Sequence, residues 1–92
     1  MKIDFDPDKN AKNIIERGLS FERATEFYFE TALFTTDNRR DYGETRYRAL
    51  GFLGHRLHAL VFVEIIGGIR VISFRKANKR EVKRYEAQSR IN

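Results

Sequence analysis

The chain contains no cysteine. That excludes disulfide staples and thiolate metal sites, so the fold must rest on packing alone. It holds a single proline, Pro7. It also lacks a long apolar run. The longest, residues 57–72, is broken by His58, Glu64, Gly67, Gly68 and Arg70, too short and too polar for a bilayer span. The opening Met1-Lys2-Ile3-Asp4-Phe5-Asp6 has no apolar stretch behind a basic head, so no signal peptide is expected there. A cytoplasmic protein with no membrane partner is the expectation. No repeat, low-complexity stretch or linker divides the chain. Its 92 residues are read as one domain over 1–92, near the lower limit for a self-sufficient core.

What is present is charge, unevenly placed. Hydrophobic residues make up 41% of the chain and charged residues 34%, which suits one core layer rather than two. Residues 1–68 hold ten Lys/Arg against eleven Asp/Glu, whereas residues 69–92 hold eight against two. The net charge of +5 therefore comes from one end of the chain. A local basic patch concentrates polyanions near it, pointing to RNA, DNA or an acidic partner.

Asp6 followed by Pro7 is a strong helix start, and Gly18 a natural stop, so a first helix is predicted over residues 7–17. Ser20 caps a second over residues 21–29, where Phe21, Ala24, Phe27 and Tyr28 repeat at helical spacing. Residues 31–36 are a candidate strand. Three further strands are predicted at 45–53, 57–66 and 69–76, the last two joined by a Gly67-Gly68 hairpin turn. Asn78 caps a final helix over 79–90, with Glu81 in the capping-box position. The class is α+β: two N-terminal helices and a C-terminal helix on a three- to four-stranded antiparallel sheet.

A Gly67-Gly68 turn would pair Glu64 with Val71 and Leu60 with Arg75. A three-residue connection at Gly54-His55-Arg56 would set Arg46 opposite Glu64. Alternation then gives one core face with Tyr47, Ala49, Leu53, Leu57, Ala59, Val61, Val63, Ile65, Ile72 and Phe74, under the first two helices. The other face mixes Leu60, Phe62 and Val71 with Arg46, Arg48, His58, Glu64 and Arg75. Such a mixture fits a groove, which Val82 and Tyr85 of the last helix partly cover.

The groove residues suit metal-free RNA cleavage. The substrate's 2′-hydroxyl is the nucleophile, and the protein supplies a base, positive charge and an acid. Glu64 or His58 is the candidate base. Arg46 and Arg75 are candidate phosphate holders, because guanidinium matches phosphate bidentately. Arg46 and Glu64 also read simply as a cross-strand salt bridge. Tyr85 reads as a packing residue with its hydroxyl at the rim. Arg48, Lys79, Arg80, Lys83 and Arg84 are either a solvated surface or contacts to an RNA backbone. His55 and His58 have no third ligand nearby, and there is no phosphate loop, so no metal or cofactor is expected.

Ile69-Arg70-Val71-Ile72-Ser73-Phe74-Arg75-Lys76-Ala77, followed by Glu81 and Tyr85-Glu86, resembles a signature of the BrnT toxins. So do Phe5-Asp6-Pro7 with Lys9 and Asn13, Gly18-Leu19-Ser20-Phe21-Glu22 with Ala24, and Gly43-Glu44, Arg46 and Ala49-Leu50-Gly51. The chain departs from that pattern at Phe5, Arg17 and Ile65. The resemblance implies a RelE-like fold, with helices on one face of an antiparallel sheet. It implies a metal-independent endoribonuclease that halts translation; the groove reading supplies Glu64, Arg75, Arg46, His58 and Tyr85 as its candidate catalytic residues. It also implies a cognate BrnA-like antitoxin, which carries operator DNA binding.

Overall fold

Five strands, not three or four, form one sheet in the computed structural model, which describes residues 1–90. The elements run β1 (Lys2–Phe5), α1 (Pro7–Arg17), 3₁₀ segments Phe21–Glu26 and Phe29–Thr31, β2 (Leu33–Thr36), β3 (Tyr47–Leu53), β4 (Arg56–Ile65), β5 (Gly68–Lys76) and α2 (Lys79–Arg90). The spatial order is β1-β5-β4-β3-β2. The strand absent from the expectation is β1. It is short and pairs parallel to β5, so the sheet is not purely antiparallel. Its Ile3 and Phe5 pack on the core. A Cβ on Gly68 would lie 1.9 Å from the Lys2 carbonyl oxygen. Gly68 therefore lets β1 approach, and the hairpin turn is Ile66-Gly67, with Gly67 at φ +80°.

The first helix forms as predicted, with Asp6 accepting from the Asp8 amide and Gly18 closing it at φ +64°. It buries no residue. Asn10 accepts from the Phe21 amide at 2.7 Å, and Asn13 donates to the Leu19 and Phe74 carbonyls, each at 2.9 Å. The predicted second helix is instead two 3₁₀ segments. Phe21, Ala24 and Phe27 repeat every third residue, the period of a 3₁₀ turn, and all three are buried in the core. These segments, not α1, cover the inner face of the sheet.

The β3–β4 connection is two residues, Gly54-His55, because Leu53 pairs with Arg56. One residue fewer in a turn moves every following side chain to the opposite face. Leu60 and Phe62 are consequently core residues beside Ala49 and Leu53, joined by Val71 and Phe74. A bulge between β4 and β5 at Val61/Phe62 lets Val71 and Phe74 share that face although they are three apart. Leu57 and Ala59, expected on the core face, lie on the other one. There they form a second, smaller cluster with Leu50 and Ala77, covered by Val82 and Tyr85 of α2. Two apolar layers result rather than one, with helical segments on both faces. The capping box is present: Asn78 Oδ1 accepts from the Glu81 amide at 2.8 Å and Glu81 Oε1 from the Asn78 amide at 2.9 Å.

Candidate active site around His58

The true register disperses the expected groove. Arg46 and Glu64 form no ion pair, since Tyr47 pairs with Phe62 and Arg46, which precedes β3, is therefore not opposite Glu64. The Arg46 guanidinium lies over the Tyr42 ring at 3.8 Å, with Nε 3.6 Å from Glu44, which also binds Arg70 at 2.9 Å. Glu64 is exposed, beside Phe34, Tyr47 and Phe62. Arg75 donates to both oxygens of Glu81, at 2.8 and 3.0 Å, and Arg48 lies 3.9 Å from the same carboxylate. The hydrogen bonds from Arg75, aided by the Asn78 amide, hold the Glu81 carboxyl down to about 2 against the cost of its burial. The Tyr85 hydroxyl donates to the Thr31 carbonyl at 2.8 Å, and its ring meets Phe52 edge-on. Both side chains hold α2 to the sheet.

His58 is elsewhere. It is 4% exposed, with its ring 5.6 Å from that of Phe74. Nδ1 lies 2.8 Å from the Arg56 carbonyl oxygen. A carbonyl only accepts, so Nδ1 carries the proton and Nε2 is the free acceptor. Among the described residues Nε2 has no hydrogen-bond partner. Burial pushes the imidazole below its ordinary pKa. The carbonyl contact opposes this, while nearby Arg56, Lys76 and Arg23 reinforce it. The ring is therefore neutral at pH 7.

His58 lines an open cavity of about 630 Å³ together with Arg17, Arg23, Arg56, Arg75 and Lys76. The C-terminal turn of α1 brings Arg17, the first 3₁₀ segment Arg23, and the ends of β4 and β5 the rest. Lys76 is the cross-strand partner of His58. Arg23 is partnered by Glu26 at 3.1 Å. Among the described residues no carboxylate lies within ion-pair distance of Arg17, Arg56 or Lys76. Arg56 also lines a neighbouring recess of about 620 Å³ with His55, Lys79 and Lys83. Of the five expected catalytic residues, only His58 and Arg75 border the cavity. Arg17, Arg23, Arg56 and Lys76 were not expected as site residues from sequence. Their signal, cations clustered around a strand histidine, is visible only once the β4–β5 register is known.

Among the described residues no three or more His, Cys, Asp or Glu side chains come together as a metal cluster. Among the described residues no helix is long and apolar enough to cross a membrane. What fold and cavity define is a small basic α+β protein with a neutral histidine among unopposed cations. Residues 5–81 match the family model described as the ribonuclease toxin BrnT of type II toxin–antitoxin systems. The chain belongs to that family, and a toxin of this type has RNA as its target and a protein antitoxin as its partner. Comparisons with curated proteins and with solved structures find no match.

Proposed function

We propose that this toxin cleaves RNA without a metal in the His58 cavity, halting translation in the cytoplasm, and that a BrnA-like antitoxin neutralises it and carries operator binding. The likeness to RelE-type ribonucleases belongs to the same proposal. The observation that carries the reading is a neutral imidazole with a free Nε2 in a cavity where Arg17, Arg56 and Lys76 face no carboxylate. His58 Nε2 takes the proton from a ribose 2′-hydroxyl. The 2′-oxygen bonds to the adjacent phosphorus and the bond to the 5′-oxygen breaks, that oxygen taking a proton from solvent. The cations stabilise the extra charge on the phosphorane, which is largest in the transition state. The RNA backbone continues over Arg56 onto Lys79 and Lys83, which line the adjoining recess. Arg75 and Arg48 serve the site through Glu81, by fixing α2. Arg46, Glu64 and Tyr85 have no part in the chemistry of this reading.

The test is cleavage of a single-stranded RNA in EDTA, with analysis of the ends. A 2′,3′-cyclic phosphate and a 5′-hydroxyl are expected. A requirement for Mg²⁺, or a 3′-hydroxyl product, would overturn the mechanism. Expression of the toxin alone should also arrest bacterial growth.

A further inference from the structure

The sheet has two edges, and they are built differently. β1 carries Lys2 and Asp4 and runs directly into α1. Charges of this kind blunt an edge against pairing with another chain. β2 is Leu33-Phe34-Thr35-Thr36, without charge or proline. Phe34 is 49% exposed. An apolar, uncharged edge strand is a template for one more strand.

Both faces beside β2 are also recessed. In the register with β3, Leu33 and Thr35 share a face with Leu50 and Arg48, and Phe34 and Thr36 share the other with Ala49 and Tyr47. On the first face a cavity of about 230 Å³ opens between the sheet and α2, with Arg48, Glu81 and Arg84 among its lining. On the second, a shallower hollow of about 280 Å³ lies among Phe34, Tyr47, Phe62 and Glu64. A strand paired to β2 would send alternate side chains into these two hollows.

Charge selects what enters each. Glu81 is already bound by Arg75 and by the Asn78 amide. Arg48, at 3.9 Å, holds it only loosely, and among the described residues Arg84 has no ion-pair partner. That hollow has positive charge to spare and accepts a carboxylate-bearing side chain. The aromatic hollow accepts an apolar or basic side chain beside Glu64, and a bare carboxylate there repels a phosphate chain.

We infer that the β2 edge is where the antitoxin docks, as an extended segment that adds a strand to the sheet, with acidic residues toward Arg48 and Arg84 and apolar or basic ones toward Phe34 and Glu64. This rests on membership of a toxin–antitoxin family, not on the His58 chemistry. The two β2 hollows and the His58 cavity share no lining residue, so docking and cleavage are separable by mutation.

The probe is the polypeptide encoded in the reading frame adjoining this toxin, purified and mixed with the intact chain. Backbone amide exchange at residues 33–36 should slow on its addition. Phe34→Lys and Thr36→Lys, both at exposed positions, should weaken its binding at least about 100-fold, while RNA cleavage by the free variants stays within about twofold of wild type. Arg48→Glu with Arg84→Glu should weaken it about tenfold. Protection confined to the His58 cavity would overturn the inference. So would slowed β2 exchange that depends on toxin concentration alone, which would assign the edge to a second copy. So would protection of β2 by a single-stranded RNA. The exchange measurement uses wild-type protein, so the inference is tested even if a variant misfolds.

Discussion

Arg75 and Lys76 are adjacent in β5, yet the two cations serve opposite ends of an electrostatic range. Arg75 is bound bidentately to Glu81. Lys76 faces the His58 cavity, where Arg17 and Arg56 likewise meet no carboxylate among the described residues. One group of cations is neutralised and holds a helix; the other is available. A count of basic residues cannot separate them, because what matters to a phosphate is charge left over after internal pairing. The same holds for the titratable groups. Arg75 keeps Glu81 ionised, and burial keeps His58 neutral. The first is suited to holding structure and the second to taking a proton.

The largest effect that would break this comparison is at His58. In His58→Asn the amide can replace Nδ1–H as donor to the Arg56 carbonyl, but the Nε2 acceptor is lost. Cleavage should fall by about 10²–10⁴-fold, as for a lost proton-transfer group, with RNA affinity and urea midpoint nearly unchanged. The wild-type rate should rise with pH through a limb lying below the ordinary imidazole value, since burial lowers the His58 pKa. That limb should be absent from the variant. A wild-type cleavage rate in His58→Asn would remove His58 as the base.

Next in size is Arg75→Ala, whose effect should be on stability. It leaves the Glu81 carboxylate, 5% exposed, without its main partner, and should cost about 2 kcal/mol at pH 7. The sign with pH follows from the depressed Glu81 pKa. Stabilisation by the pair is complete above about 4.5, the ordinary value, and is lost as pH falls toward about 2. Urea midpoints at pH 7 and pH 3 should therefore differ between wild type and variant by less at pH 3. If Arg75→Ala abolishes cleavage while stability is unchanged, Arg75 belongs to the chemistry instead. A smaller change is expected from Arg56→Gln with Lys76→Gln: about tenfold weaker RNA binding, with stability held.

Much of the fold was legible because local chemistry specifies it. Asp6-Pro7 with Gly18 bounded α1, and Asn78 with Glu81 started α2. The periodic strands β3, β4 and β5 were found to within two residues at each end. The assignment of the sheet faces failed on a single residue of turn length. The two-residue Gly54-His55 connection and the β4–β5 bulge moved Leu60 and Phe62 into the core and Leu57 and Ala59 under α2. With them went the Arg46–Glu64 pair. β1 was missed because four residues carry too little period to read, and its partner, β5, is distant in sequence. The cavity was missed because its cations come from both ends of the chain. Only His58 and Arg75, already chosen for chemistry, survived as members of its lining.

The smallest effect sharpens the comparison within α2, four of whose cations, Lys79, Arg80, Lys83 and Arg84, sequence alone treats alike. Lys79 and Lys83 line the recess that Arg56 shares with the His58 cavity. Arg84 lines the hollow beside β2, and Arg80 sits one helical turn before it. An RNA strand leaving the cavity over Arg56 meets the first pair and not the second. Each phosphate contact to a single strand contributes roughly 0.7 to the slope of log affinity against log salt. Lys79→Gln with Lys83→Gln should thus flatten that slope by about 1.4, and Arg80→Gln with Arg84→Gln should leave it unchanged, although both variants lose the same charge. Long-range attraction depends only on total charge and would lower both affinities equally. Equal slopes for the two variants, measured by titrating a single-stranded RNA between low and physiological salt, would mean that α2 acts as a diffuse field. The track from His58 to Lys83 would then be wrong even if His58 is the base.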